Sequence, residues 1–348
     1  MADYGTMEEG LTLLAPYGPD LRNGLTSHAP MAIEALSALG RADAVLLWIE
    51  RYRPGLMPRP AGRERIGKDW QGALGHLDRS TDWMEFFEEE LREAPWREVA
   101  VRWTKRLAPA VCATATHGVI RVGHAVRSLD DAETPLRIRE LAEGFGYWAS
   151  TYQTLPTATA KPIATVRARE AIERVPIVPP DERHFSGTIV SSLEALDRFP
   201  EFAPVIGLLD ASAAPSQLVS ELTETFAEVA LANARDVLGA IVFIHGVTGL
   251  TAIRSLLPLL EPDAARQVIR YGWQASAALY AAFAERPTPG AAIEAPREDA
   301  AGLIDRAIAH GDEHAIKFTE ACLREHALNP SPVYFAAVRH AIDLLPRA

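Results

Sequence analysis

Four of the ten histidines in this 348-residue chain stand where a surface role does not explain them. His28 opens an apolar helical pattern in Thr26-Ser27-His28-Ala29-Pro30-Met31, and His117 lies within Ala115-Thr116-His117-Gly118-Val119-Ile120. His245 sits in Val242-Phe243-Ile244-His245-Gly246-Val247-Thr248, and His314 follows the expected helix cap Asp312 in Asp312-Glu313-His314-Ala315-Ile316-Lys317. A buried imidazole must find partners for both ring nitrogens. Taken singly, each reads as a hydrogen-bonded structural residue. Four on four separate helices are hard to satisfy one at a time, whereas one metal ion engages several nitrogens at once, and imidazole suits iron and zinc. The chemistry on offer is that of an interhelical metal site with His28, His117, His245 and His314 as ligands.

Two neighbours bear on that site. His124 falls seven residues after His117, on the same helical face two turns along, and reads as a fifth ligand or a substrate-facing residue; Arg121 lies between the two. Lys317, three residues after His314, reads either as a surface partner of Glu313 or as an inward amine. Burial of that amine would lower its pKa, and a neutral amine can take up carbon dioxide to become a carbamate, an anionic oxygen ligand. His310, just before Gly311, reads as a helix C-terminal residue, and His76, His184, His326 and His340 as exposed or capping groups.

The elements that must position these residues are helices. Apolar residues recur at spacings of three and four, which predicts an all-α protein with a single large helical domain over residues 1–348 and a division into two lobes, if one exists, near 155–180. Helices are expected through Met31 to Leu39 with Gly40 as the stop, Trp83 to Leu91, Trp96 to Leu107, Pro109 to Leu129, and Pro135 to Tyr152. Others are expected at Ser216 to Leu231, Val237 to Leu256, Asp263 to Phe283, Asp299 to Ala309, Glu313 to His326, and Pro332 to Leu345. The proline-rich stretches Leu155 to Pro162, Val175 to Pro180 and Arg286 to Pro296 read as surface connections. The arginines at 51, 53, 59, 63 and 65, diluted by Glu50, Glu64 and Asp69, read as a solvated loop.

A formal charge of −11 with no basic stripe argues against nucleic acid as a partner. Cys112 and Cys322, the only two cysteines, lie in apolar helical patterns and read as core thiols of a reducing compartment. With no leader pattern and no uninterrupted apolar run of spanning length, a cytoplasmic protein away from the membrane is expected; self-association as a homo-oligomer stays open. Zincin, P-loop and nucleophile-elbow motifs are missing. Gly144-Phe145-Gly146 mimics a dinucleotide fingerprint but falls inside a helical pattern with no strand before it, so no cofactor-binding residue is assigned.

The stretches around His28, His117, His245 and His314-Ala315-Ile316-Lys317 resemble, in order and spacing, the questin oxidase family, and the resemblance extends over nearly the whole chain. It implies a ring-cleaving oxygenase, since fungal members open anthraquinone-type polyketides in a Baeyer–Villiger-like oxidation, with NADPH attached to some of them as external reductant. It also implies Fe(II) held by His28, His117, His245, His314 and a carboxylated Lys317, acting on an aromatic small molecule and dioxygen. This chain departs from the fungal pattern at Arg121 and His124, which are therefore the candidate catalytic, substrate-contacting residues. Trp148, Tyr147, Tyr152 and Trp273 are candidate walls for a flat substrate, and equally candidates for core packing. Two rivals remain: a zinc hydrolase on the same ligands, and a helical scaffold without catalysis.

Overall fold

The structure, a computed structural model, describes residues 1–158, 165–285 and 298–347. Its helices are α1 (Met7–Leu14), α2 (Ala29–Ala38), α3 (Ala42–Tyr52), α4 (Ser80–Glu93), α5 (Trp96–Leu107), α6 (His117–Asp131), α7 (Pro135–Ser150), α8 (Ala168–Glu173), α9 (Ile189–Leu193), α10 (Pro215–Asn233), α11 (Val237–Leu256), α12 (Pro262–Phe283), α13 (Ala300–His310), α14 (Glu313–Leu328) and α15 (Pro332–Leu344). The fold is all-α. Most boundaries coincide with chemistry visible in the chain. Thr134 caps α7 ahead of Pro135, Asp236 caps α11 through the Gly239 amide at 2.7 Å, and Asp299 caps α13 through Gly302 at 2.8 Å. Gly311, at φ 86°, ends α13 in the left-handed conformation that glycine adopts without strain.

Four expectations need correction. The helix predicted from Pro109 breaks: three consecutive residues, Thr114, Ala115 and Thr116, have φ of 45°, 53° and 71°, and α6 starts at His117. Two strands, β1 (Tyr17–Leu21) and β2 (Leu56–Pro58), pair antiparallel beside α2 and α3, and Arg51 lies in the last turn of α3 rather than in a loop. The connections at 155 and 175–180 are not wholly superficial, because Leu155, Val175 and Val178 are buried in the main core; 286–296 and 159–162 fall outside the described residues. Finally, Val237–Leu259 is long and apolar enough to cross a membrane by length and composition, yet most of it is buried inside the fold.

Apolar side chains gather in one large cluster running from Ile66 to Leu345, on both sides of 155–180. A second cluster belongs to the N-terminal part, joining α1, α2 and α3 with Ile316 of α14. The bundle that matters here draws on both, α6 and α11 on the first, α2 on the second and α14 on each. α11 packs against α6, α10, α12 and α14, and α2 packs against α6 and α14. The approach of α6 to α11 needs Gly123, because a Cβ there would lie 2.8 Å from the Ala252 backbone. Gly144 and Gly146 likewise sit inside α7 in close contact with Val122 and Met84, which is why they do not form a nucleotide loop.

Candidate metal centre

Three of the four histidines stand at helix N-termini. His28 is the N-cap residue of α2, His117 is the first residue of α6, and His314 is the second of α14, behind Asp312, whose carboxylate accepts the His314 and Ala315 amides at 2.8 and 3.2 Å. Side chains at a helix start lean outward past its end, so the three imidazoles project from their helices toward a common point. His245 reaches it from the middle of α11. All four are buried, at 1–7% exposure.

The rings meet. Nε2 of His28 lies 2.5 Å from Nε2 of His117, and Nε2 of His245 lies 3.1 Å from the same atom. The His314 ring packs edge-on against His28 and His245, with centroids 4.6 and 5.5 Å away. The protons decide what this means. Nδ1 of His117 faces the Thr114 carbonyl and Nδ1 of His245 the Ile241 carbonyl, the latter at 2.6 Å. A carbonyl only accepts, so both Nδ1 atoms carry hydrogen and both Nε2 atoms present lone pairs. Nδ1 of His28 lies 3.3 Å from the Glu313 carboxylate without a hydrogen bond to it, so carbonyls fix the tautomers of His117 and His245 alone.

Extra protonation does not resolve the conflict. Burial first, and then the Lys317 charge, lower the His28 and His117 imidazoles, His117 to about 3; burial and the neighbouring imidazoles lower His245. Two neutral nitrogens, Nε2 of His117 and Nε2 of His245, therefore turn lone pairs toward each other with no hydrogen between them, and Nε2 of His28 abuts the first. Ligands at about 2.0–2.1 Å from one ion lie roughly 3 Å apart; the 3.1 Å between His117 and His245 has that spacing, and His28 lies closer to His117 than two ligands would. The donor set fits a cation. His314 stands apart in one respect: its Nδ1 groups with His28 and Glu313, 3.4 Å from Asp312 and 3.8 Å from Glu313, rather than with the three Nε2 atoms.

Lys317 is turned inward, at 1% exposure, so the surface pairing with Glu313 does not describe it. Burial lowers its ammonium to about 8, against the pull of Glu313 and Asp312, which act through space. The three helix N-termini add positive potential beside the site, which favours an anion there.

The turn before His117 is strained. A left-handed residue other than glycine costs roughly 1–2 kcal/mol, and three occur in succession. The turn is what delivers the Thr114 carbonyl to the His117 ring. Thr116 packs into the gap left by Gly249 on α11, where a Cβ would lie 3.0 Å from it.

His124 and Arg121 are bound elsewhere. Nδ1 of His124 bonds Glu34 of α2 at 2.6 Å, and Glu34 also accepts from Arg127 Nε at 2.7 Å and the Tyr4 hydroxyl at 2.6 Å. Arg127 continues to Glu320 of α14, and Arg324 lies 3.4 Å from Glu320 while donating to Ser255 and to the Thr251 carbonyl of α11. Burial alone would raise the Glu34 carboxyl, but Arg127 and His124 override it and hold it well below the usual range. This charged layer occupies the same four helices as the histidines, six to ten residues further along, and an apolar cluster of Met31, Ile120 and Ala252 stands between. Arg121 is clamped by Glu140 at 2.6 and 2.8 Å and by Glu143 at 2.7 Å. A cavity of ≈ 30 Å³ beside it, also lined by Ser27 and Ala29, has room for about one or two waters.

Trp148 and Trp273 are core residues whose indole N–H groups donate to the Ala110 and Val205 carbonyls, both at 2.8 Å. Cys112 and Cys322 are free and buried. His310 ends α13 and reaches the Leu345 carbonyl at 3.2 Å, while His340 bonds the Ala234 carbonyl at 2.8 Å. The spacing argument missed Glu34, although one acid in the apolar run Met31-Ala32-Ile33-Glu34-Ala35-Leu36 is a visible anomaly. Nothing in the sequence marks Tyr52, and Tyr147, expected as a substrate wall or core residue, is buried with its hydroxyl on Thr26 beside the site.

No curated relative matches the chain. The sequence pattern of the questin oxidase-like family, by contrast, matches residues 27–322, a stretch that contains all four histidines and Lys317. The family points to oxygenase-type, oxidoreductive chemistry, in keeping with a buried histidine site able to hold a metal. By that match over most of its length, the chain belongs to the questin oxidase-like family.

Proposed function

We propose that the protein is a non-haem iron oxygenase that opens a ring of an aromatic polyketide of the anthraquinone type. The observation that supports this most is the meeting of the Nε2 atoms of His28, His117 and His245, the lone pairs of His117 and His245 facing each other. His314 and Lys317 complete the donor set. Iron held there would supply the one-electron chemistry that lets dioxygen react with a closed-shell aromatic molecule.

The chain's own residues prepare that chemistry. The neutral amine of Lys317 forms an N–C bond to carbon dioxide and releases one proton, leaving a carbamate that the adjacent helix N-termini stabilise. Thr114 and Ile241 carbonyls lock the tautomers of His117 and His245, so that both keep Nε2 unprotonated. In the overall reaction one oxygen atom enters beside a substrate carbonyl and the other leaves as water, consuming two electrons and two protons. An electron-rich phenol carries those electrons itself; NADPH is the external reductant for a substrate that does not. His124 and Arg121 reach substrate in this reading only through a rearrangement that frees them from Glu34 and Glu140.

Anaerobic purification followed by metal analysis and oxygen uptake with a hydroxyanthraquinone is the direct test. Stoichiometric iron and substrate-dependent oxygen consumption are expected. Zinc without oxygen uptake would move the protein to metal-activated hydrolysis, and no metal at all would leave a scaffold. For Lys317, carbon-13 bicarbonate should give a carbamate resonance that Lys317→Ala lacks, and formate or acetate should restore part of that variant's activity.

A further inference from the structure

Two phenols from helices that carry no ligand tie the ligand-bearing segments to one another. Tyr147 of α7 is buried; its hydroxyl meets the Thr26 hydroxyl at 2.6 Å, and its carbonyl accepts from the Thr151 hydroxyl at 2.7 Å, which in turn accepts from the Thr114 hydroxyl at 3.5 Å. Thr26 stands two residues before His28, and Thr114 three before His117. Tyr147 therefore joins the approaches to His28 and His117, by its hydroxyl on the first side and through Thr151 on the second.

Tyr52, the last residue of α3, works on the other side. Its oxygen accepts the His28 backbone N–H at 3.0 Å. Its ring stacks on Trp48 at 4.6 Å, and the Trp48 indole donates to the Gly311 carbonyl at 2.8 Å, three residues before His314. The segments leading to His28, His117 and His314 are thus cross-tied from outside. The left-handed turn at 114–116 needs such support, because a conformation this unfavourable persists only where its surroundings over-determine it.

We infer that Tyr147 and Tyr52 are positioning residues for the metal centre, their hydroxyls fixing the approach to His28, while Thr151 and Trp48 beside them extend the ties to the segments before His117 and His314. The inference rests on the reading of the histidines as ligands. Removing a partner that orients a ligand typically weakens metal binding about 10–100-fold. Phenylalanine keeps each ring in place and deletes only the hydroxyl.

The test uses Co(II), titrated anaerobically into the metal-free full chain, with affinity from chelator competition and geometry from the visible spectrum. Tyr147→Phe and Tyr52→Phe should each bind Co(II) roughly 10–100-fold more weakly with an altered visible band, while the metal-free melting temperature moves little. Thr26→Val removes the same bond from its other end and should reproduce the Tyr147→Phe loss, with the double variant no weaker than either single one. It also decides the matter if Tyr147→Phe does not fold. Unchanged Co(II) affinity and spectrum in these variants, beside a wild type that binds, would overturn the positioning role. A wild type that binds no Co(II) would overturn the ligand reading instead.

Discussion

Two polar layers share the same four helices and obey opposite rules. In the charged layer Glu34, Glu320, Arg127 and Arg324 balance one another: Arg127 pairs with Glu34 and Glu320 on two neighbouring helices, and Arg324 with Glu320 on its own. In the histidine layer the groups nearest each other are alike, and lone pair faces lone pair across 3.1 Å. Burial alone does not distinguish the two. A buried polar cluster that completes itself holds helices in register; one that leaves its acceptors facing each other asks for an ion.

The sharpest way to break this contrast is His117→Ala. It removes the nitrogen common to both close contacts, so stoichiometric metal and all oxygen uptake should vanish. Stabilisation by added metal, about 2.7 kcal/mol at one hundred times the dissociation constant, should vanish with them. The metal-free protein should remain as stable as wild type in a urea melt, or more so. A large loss of metal-free stability would mean that the imidazoles satisfy one another and that the contrast is false.

Glu34→Gln should do the reverse. Removing one partner from a buried ion pair costs roughly 3–5 kcal/mol, to be read from urea unfolding, with metal stoichiometry kept. Its pH dependence follows from the sign of the shift. The folded Glu34 carboxyl lies below its ordinary value of 4.5, so its contribution is fully present above that value and is lost as pH falls toward the folded one. The gap between wild type and Glu34→Gln should hold steady from pH 7 down to about 5 and close below it. A gap that widens in acid would contradict the assignment.

Gly123→Ala is the mildest. The new methyl meets the Ala252 backbone, and overpacking of this kind costs about 1–3 kcal/mol. Both layers lie on α6 and α11, so unfolding should shift and metal affinity should drop by a smaller factor than in His117→Ala. An affinity unchanged while stability falls would show that the histidine layer tolerates helix displacement.

Much of the bundle was legible because helix starts and stops are local chemistry. Thr134-Pro135, Asp236, Asp299 and Gly311 mark boundaries by the hydrogen bonds and backbone angles their own side chains permit. The helix expected from Pro109 failed for the opposite reason. Thr114, Ala115 and Thr116 have no intrinsic preference for the left-handed region, and contacts from Thr151, Gly249 and His245 impose it. Lys317 shows the same limit, since its spacing from Glu313 suits a surface pair as well as an inward amine, and only the burial of α14 among α2 and α11 chooses.

The sequence by itself determined the helical architecture, most helix boundaries and the short inventory of histidines worth watching, because periodicity and capping act within a few residues. Only the tertiary structure decided that His28, His117 and His245 share one point, that His124 and Arg121 answer to Glu34 and Glu140, and that Lys317 turns inward. Those outcomes depend on how helices distant in the chain cross, and no local preference encodes a crossing; they follow from filling the space between helices and from leaving no buried donor or acceptor without a partner.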